Sequence, residues 1–298
     1  MSVRITGQSM SARVLGDLQA AQARIARTQQ QVSTERRINQ ASDDALGTTR
    51  ALAARTTLAT VAKHQDSIAD ATSRVSATGS ALSQITEVMH RVRELTVQAA
   101  NGATTDTGRA AINKEIGELV NTVKDAANLK VGDAYIFGGT ATTTKPYASG
   151  PVDTYAGDAG TIARTIGPGV SLQVNVTGAD VLGSGGGDGQ LLDTLRTIQA
   201  HLTANDTTAL SADLKRLDTN LDTIGAVQAT IGATQNRLDA AMSRLDDTAA
   251  TTNKVLSDVE GIDLTEALLN LNSQSSAYQA ALKTAANVLQ PSLLDFLR

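Results

Sequence analysis

The sequence predicts a mainly α fold, with long antiparallel helical hairpins or coiled coil, paired N- and C-terminal helices and a small central β domain. Three observations predict it. Apolar residues recur in alternating steps of four and three at both ends of the chain, more than two hundred residues apart. Hydrophobic residues reach 41% of the 298, yet aromatics make up only 2% and Trp is absent. Between Tyr135 and Gly189 the helical spacing gives way to frequent Gly, Pro and Thr. Steps of four and three mark helices that pack along one another. A core of Ala, Leu, Ile and Val, short of large rings, suits close helix pairs.

The elements follow in order. A first helix is predicted over about Ser9 to Thr34, with Val14, Leu18, Ala21, Ile25, Thr28 and Val32 on one seam. Ser42 is placed to cap a second helix, with Asp43 and Asp44 in its first turn, where the macrodipole favours negative charge. That helix carries a regular seam of Ile68, Ala71, Val75, Thr78, Leu82, Ile85, Met89, Val92, Thr96 and Ala99. Asn101-Gly102 reads as a left-handed stop. Thr105 or Asp106 caps the next helix, striped by Ile112, Ile116, Leu119, Val123 and Ala126, and the short loop predicts an antiparallel helical hairpin. In the central stretch, Ile162–Ile166 and Ser171–Val176 are strand candidates joined by a Gly167-Pro168-Gly169 turn. The run from Gly183 to Gly189 reads as a flexible loop. Helix resumes near Leu191. Leu210, Leu214, Leu217, Leu221 and Ile224 form a stripe that slips by one residue and continues from Val227 to Val259, leaving a break, a bend or a smooth drift open. Gly261 closes that helix. Asp263 with Glu266 forms a capping pattern for the last one, seamed by Leu264, Leu268, Leu271, Ser275, Tyr278, Leu282, Ala285 and Leu289 and stopped by Pro291. The expected domains are 1–40 with 262–298 as a terminal coiled-coil assembly domain, 41–134 with 190–261 as a helical rod, and 135–189 as a small outward β domain.

The same residues narrow the function classes. A formal net charge of −4 argues against a basic nucleic-acid stripe. With no Cys there is no disulfide, thiol metal site or Cys nucleophile. His64, His90 and His201 fall in separate helices without ligand spacing. Neighbouring Asp43 and Asp44 would point apart on a helix. The glycine run lacks the Gly-Lys-Ser/Thr of a phosphate loop and the alternating acids of a calcium loop. No constellation meets the geometric roles of an active site. The reading is therefore a non-enzyme without cofactor or metal. No apolar window approaches membrane length. Met1 to Gln8 does not read as a secretory signal peptide, so export is expected to use a route that needs none.

Two seams at opposite ends point to assembly. The N-terminal one is weak, carrying Ala21 and Thr28, and a short isolated helix pair is marginal in water. The ends are expected to order on packing with further copies, meeting the entropy cost at that moment. A self-contained intramolecular four-helix bundle is the alternative.

Arg36-Arg37-Ile38-Asn39-Gln40-Ala41-Ser42-Asp43-Asp44 resembles a segment shared by the flagellin superfamily, and the run from Arg91-Val92-Arg93-Glu94-Leu95 to Asn101 resembles its second signature. With the terminal helices, the resemblance takes in about two-thirds of the chain. Tyr135-Ile136-Phe137-Gly138-Gly139, Tyr155-Ala156-Gly157-Asp158, Ile166 to Val170 and Leu293-Leu294-Asp295-Phe296-Leu297 resemble the superfamily's hook–filament junction branch, the hook-associated proteins 3. The resemblance implies a structural subunit of the extracellular bacterial flagellum, exported through the flagellar channel after release from an export chaperone. It would form a homo-oligomeric ring between hook-associated protein 1 and flagellin. Val14, Leu18, Ile25 and Val32 would then pair with Leu264, Leu268, Leu271, Tyr278, Leu282 and Leu289 in an assembly seam. Flagellins also carry an innate-immune receptor epitope on the second signature, which would fall on Arg91, Leu95 and Glu115. A short flagellin is the alternative reading within the class, and an intracellular helical scaffold the alternative outside it.

Overall fold

The computed structural model describes residues 7–289, with side chains from 12 to 286. Seven helices and two small sheets follow in the order α1 (Gly7–Thr34), α2 (Ala45–Ala100), α3 (Asp106–Ala127), β1 (Lys130–Val131), β2 (Ala134–Tyr135), β3 (Ala163–Gly167), β4 (Val170–Gln173), α4 (Gly178–Leu182), α5 (Leu191–Ala204), α6 (Thr207–Glu260) and α7 (Leu264–Leu289). The mainly α class with a central β portion is as predicted. The stop at Pro291 and the segment Leu293–Leu297 lie outside the described residues, as does the side chain of Leu289. Two units divide the chain: Val61–Thr248, and Met1–Thr60 together with Ala249–Arg298.

The larger unit holds a closed core. All ten predicted seam residues from Ile68 to Ala99 are buried, as are Ile112, Ile116 and Val123 on α3. Helix α6 supplies Leu210, Leu217, Ile224, Ile231, Leu238 and Leu245. Arg93 meets Asp218 at 2.7 Å, Gln228 reaches Thr86 at 3.2 Å and Gln65 reaches Asp246 at 2.7 Å. Numbers rise along one helix as they fall along the other, so α2 and α6 run antiparallel here. Helix α6 continues without interruption through the slip after Ile224, which excludes a break, and its buried line keeps steps of seven from Leu210 through Ile224 and Ile231 to Leu245.

Three local expectations need correction. Helix α2 starts at Ala45, and its cap is Asp44, not Ser42: Asp44 Oδ1 accepts the Gly47 N–H at 2.8 Å. Asp43 instead folds back to accept the amides of Asn39 and Gln40 at 3.1 and 2.9 Å. A carboxylate is a strong acceptor of amide hydrogens, and here it outcompetes the serine hydroxyl. After α2 neither Asn101 nor Gly102 is left-handed. The loop is closed instead by Asn101 Oδ1, which accepts the Ala103 N–H at 3.1 Å, and by the Thr104 hydroxyl donating to the Gln98 carbonyl at 2.6 Å. The run 183–189 is pinned rather than loose. Asp188 accepts the amides of Ser184 and Gln190, and Asp193 those of Gly187 and Gly189, at 2.7–3.0 Å.

The predicted central hairpin is present, with β3 antiparallel to β4 and a bulge between Thr165 and Gly167. Gly169 takes the left-handed φ of +68° that the turn after Pro168 requires. The second strand, Val170–Gln173, is shorter than predicted: the Val174 N–H still donates to the Ile162 carbonyl at 2.9 Å, but Asn175 and Val176 lead on toward α4. Sequence reading missed the β1–β2 hairpin and α4. Two-residue strands are too short to display alternation, and α4 owes its start to Thr177 and Asp180 in a capping box.

The central segment is fastened to α3 and α5 by a buried charge cluster. Lys124 Nζ donates to the carbonyls of Gly150 and Val152 at 2.7 and 2.6 Å and pairs with Asp153 at 2.5 Å. Arg196 grips the same carboxylate with bonds of 2.7 and 3.1 Å. Burial pushes the Asp153 carboxyl up, but Arg196 and Lys124 together hold it below the ordinary carboxylate value.

Candidate assembly interface

In the smaller unit, α1 packs against α7. Thr28 is buried between them, its hydroxyl donating to the Arg24 carbonyl at 3.1 Å and meeting Gln274 Oε1 at 3.3 Å. The chain then turns through Glu35, which is left-handed at φ 55°, and enters the first signature. Arg36 bridges Gly261, and the Arg37 N–H donates to the Glu260 carbonyl at 2.7 Å. The Arg37 guanidinium spans the Val259 carbonyl and the Asp44 carboxylate at 2.9 and 3.2 Å. Glu260, itself buried, takes Arg55 at 2.7 Å. The signature is thus a clamp. It joins the end of α1 to the start of α2 and the end of α6, and it fixes where α1 and α7 begin their pairing. The Gln40 and Asn39 amides hold the Asp43 carboxyl below its usual value, and the Gly47 amide with Arg37 does the same to Asp44.

The pairing face uses small residues. Ala267 and Ala285 are buried, and Leu271, Gln274 and Tyr278 are half-buried. On α1 the half-buried positions are Val14, Leu18, Ala21, Ile25 and Val32. A groove of about 470 Å³ runs between the two helices, lined by Val14, Leu18, Ala21, Tyr278, Ala281 and Ala285 among others. Leu264, Leu268 and Leu282 were read as part of one seam with Leu271 and Tyr278. Leu268 and Leu282 stand one position around the helix from Ala267 and Ala281, while Leu264, in the column of Leu271, Tyr278 and Ala285, is the first residue of α7; Leu268, Leu282 and Leu264 are 42%, 43% and 41% exposed. Leu15 and Leu269 are exposed as well. Helix α7 therefore carries two apolar lines: one turned to α1, and a leucine-rich one that α1 does not cover. Periodicity alone could not separate them, because neighbouring heptad positions read as one broad stripe.

On the second signature, Arg91 holds Glu115 through Nε and Nη2 at 2.9 and 2.7 Å and Glu94 through Nη1 at 3.1 Å. Both ends of the Arg91–Glu115 pair are exposed, but Leu95 is only 2% exposed. The structure brings Arg91 and Glu115 together and withdraws Leu95 into the core of the larger unit. The Tyr135–Gly139 motif has a packing role. Ile136 and Phe137 are fully buried, and Gly139, at φ +68°, lies so close to Asp158 that a Cβ would strike it. The Asp158 carboxylate takes the Thr140 amide at 2.6 Å, and the Tyr155 hydroxyl donates to the Phe137 carbonyl at 2.7 Å. Among the described residues no helix is long and apolar enough to cross a membrane.

Comparison with known proteins places this architecture. Flagellar hook-associated protein 3 of Escherichia coli strain K12 is 26% identical over 315 residues, covering 98% of this chain and 99% of its own. A flagellar hook-associated protein structure from Vibrio parahaemolyticus shares the fold with a TM-score of 0.67 at 21% identity, over 74% of this chain and all of its own. The flagellar junction protein of Legionella pneumophila shares it at 0.59 and 16% identity, over 71% of this chain and all of its own. Residues 5–142 match the bacterial flagellin N-terminal helical region and residues 214–297 the C-terminal helical region. Those matches hold both signature segments and both terminal helices, and the chain belongs to the flagellin superfamily.

Proposed function

We propose that this chain is a non-enzymatic structural subunit of the bacterial flagellum, working outside the cell at the junction between hook and filament. The observation that carries the reading is the set of leucines on one side of α7 that α1 leaves exposed, Leu264, Leu268 and Leu282, beside the face that α1 already engages. Lone exposed apolar residues need no explanation, but a line of them along one helix marks a binding face. The full-length likeness to a hook-associated protein 3 supports the junction over the filament itself. In this reading residues 1–40 with 262–298 form the assembly domain, 41–134 with 190–261 form the helical rod, and 135–189 faces outward. Further copies cover the leucine line and build a homo-oligomeric ring, with hook-associated protein 1 on one side and flagellin on the other. An export chaperone shields the same line before secretion.

Deletion of the gene tests this directly. Hooks should form normally while flagellin is shed into the medium, and purified chain added from outside should restore filament growth. Absence of the hook would overturn the placement. Long filaments grown from seeds by this chain alone would identify it as a short flagellin.

A further inference from the structure

We propose that Asn101-Gly102 is a self-processing site, at which the folded chain deamidates to aspartate and isoaspartate. Four observations meet there. Gly102 follows an asparagine, so no side chain hinders its backbone nitrogen, and this Asn-Gly pair occurs once in the chain. The pair is exposed in the loop between α2 and α3, and apart from its two chain neighbours nothing lies within 4 Å of where a Gly102 Cβ would stand. The Gly102 N–H has no hydrogen-bond partner among the described residues. The Ala103 N–H donates to Asn101 Oδ1 at 3.1 Å. That last bond draws electrons from the side-chain carbonyl and stands where negative charge collects on Oδ1 during attack, the arrangement that stabilises a developing oxyanion.

The step balances without any partner but water. Solvent base removes the Gly102 amide proton, and the nitrogen bonds to Asn101 Cγ. The Cγ–Nδ2 bond then breaks, and the amide nitrogen leaves with a proton as ammonia, closing a succinimide ring. Water opens the ring at either carbonyl and gives aspartate or isoaspartate. Nothing is oxidised or reduced. Other asparagines lack this setting. The Asn128 amide is held at both ends by Tyr147, and Asn205 Oδ1 is taken by Arg109. The product places a carboxylate just beyond the C-terminus of α2, where the macrodipole disfavours negative charge. In the isoaspartyl form the main chain runs through the former side chain, so the bond to Ala103 is lost and the turn between α2 and α3 loosens.

The full-length protein is incubated at mildly alkaline pH, digested with trypsin and read by mass spectrometry on the Glu94–Arg109 peptide, with electron-transfer fragmentation to separate the two acids. Conversion at Asn101 ahead of every other asparagine is the expected result, with loss of the product in Gly102→Ala. Gly102 has open space and no positive φ, so alanine fits there without disturbing the fold. The synthetic Glu94–Arg109 peptide is run alongside. Folded protein that stays amidated while the peptide converts overturns the proposal, as does equal conversion in Gly102→Ala.

Discussion

Single residues in the first signature act through contacts that leave no room for change. Gly47 sits in the first turn of α2, and a Cβ there would run into Ile38 Cδ1 and the Asp44 carboxylate. Gly47→Ala should therefore displace the cap and cost about 1–2 kcal/mol, the value of an N-cap interaction, read as a lower urea midpoint with an unchanged slope. At an open site such as Gly16, where nothing lies within 4 Å, the same change should be neutral or stabilising, since alanine favours helix over glycine. Asp153 gives a second residue-scale prediction. Its folded-state pKa is depressed, so the stability it lends is complete above the unfolded value of about 3.9 and is lost as pH falls through that value toward the folded one. Thermal melts should hold steady from neutrality to roughly pH 4 and decline below it. Asp153→Asn should flatten that decline. Lys124→Met removes one partner of a buried pair and should cost about 3–5 kcal/mol at neutral pH.

At the scale of elements, legibility tracks how many turns repeat a pattern. Helix α2 repeats its seam often enough that every predicted core residue from Ile68 to Ala99 is buried. The β1–β2 hairpin has two residues a side and no pattern to repeat. The Lys124–Asp153–Arg196 cluster was invisible for another reason: its members lie on three separate segments, and only folding brings the charges together. On α7 the pattern was legible but its direction was not. The sequence places Leu264, Leu268, Leu271, Tyr278, Leu282 and Ala285 on one seam; Leu271, Tyr278 and Ala285 do lie on the face toward α1, but Ala267 joins them there and Leu268 and Leu282 stay exposed. Small residues allow the close approach, and the leucines are left beside it. That geometry predicts a separation of effects. Leu282→Asp should change monomer stability by no more than about 0.5 kcal/mol, as for a surface site, yet abolish incorporation into assemblies. Ala285→Asp places a charge on the buried line and should weaken the α1–α7 pair in the monomer as well. Equal loss of monomer stability in both variants would mean that Leu282 belongs to an internal core.

Across the whole molecule the two units differ in how completely they bury what they own. The larger one closes its core within itself, and residues such as Leu82, Ile85, Met89 and Leu195 are inaccessible. The smaller one pairs two helices over alanines, threonine and half-buried aliphatics and leaves leucines on the outside. Opening free energy follows buried apolar contact, so the α1–α7 pair should open more often than the Val61–Thr248 core in the free chain. Hydrogen exchange on the soluble monomer should show the amides of α7 between Leu264 and Ala285 exchanging well ahead of those of α2 between Ile68 and Ala99. Limited proteolysis should cut near the exposed leucines of α1 and α7 first and leave a fragment that retains the larger unit. Once the chain is incorporated into an assembly, the same α7 amides should become protected, because copies that cover the leucine line supply the missing contacts and stabilise by mass action. If α7 exchanges as slowly as α2 in the free monomer, the ends need no neighbours, and the leucine line has lost its role as the driving surface for assembly.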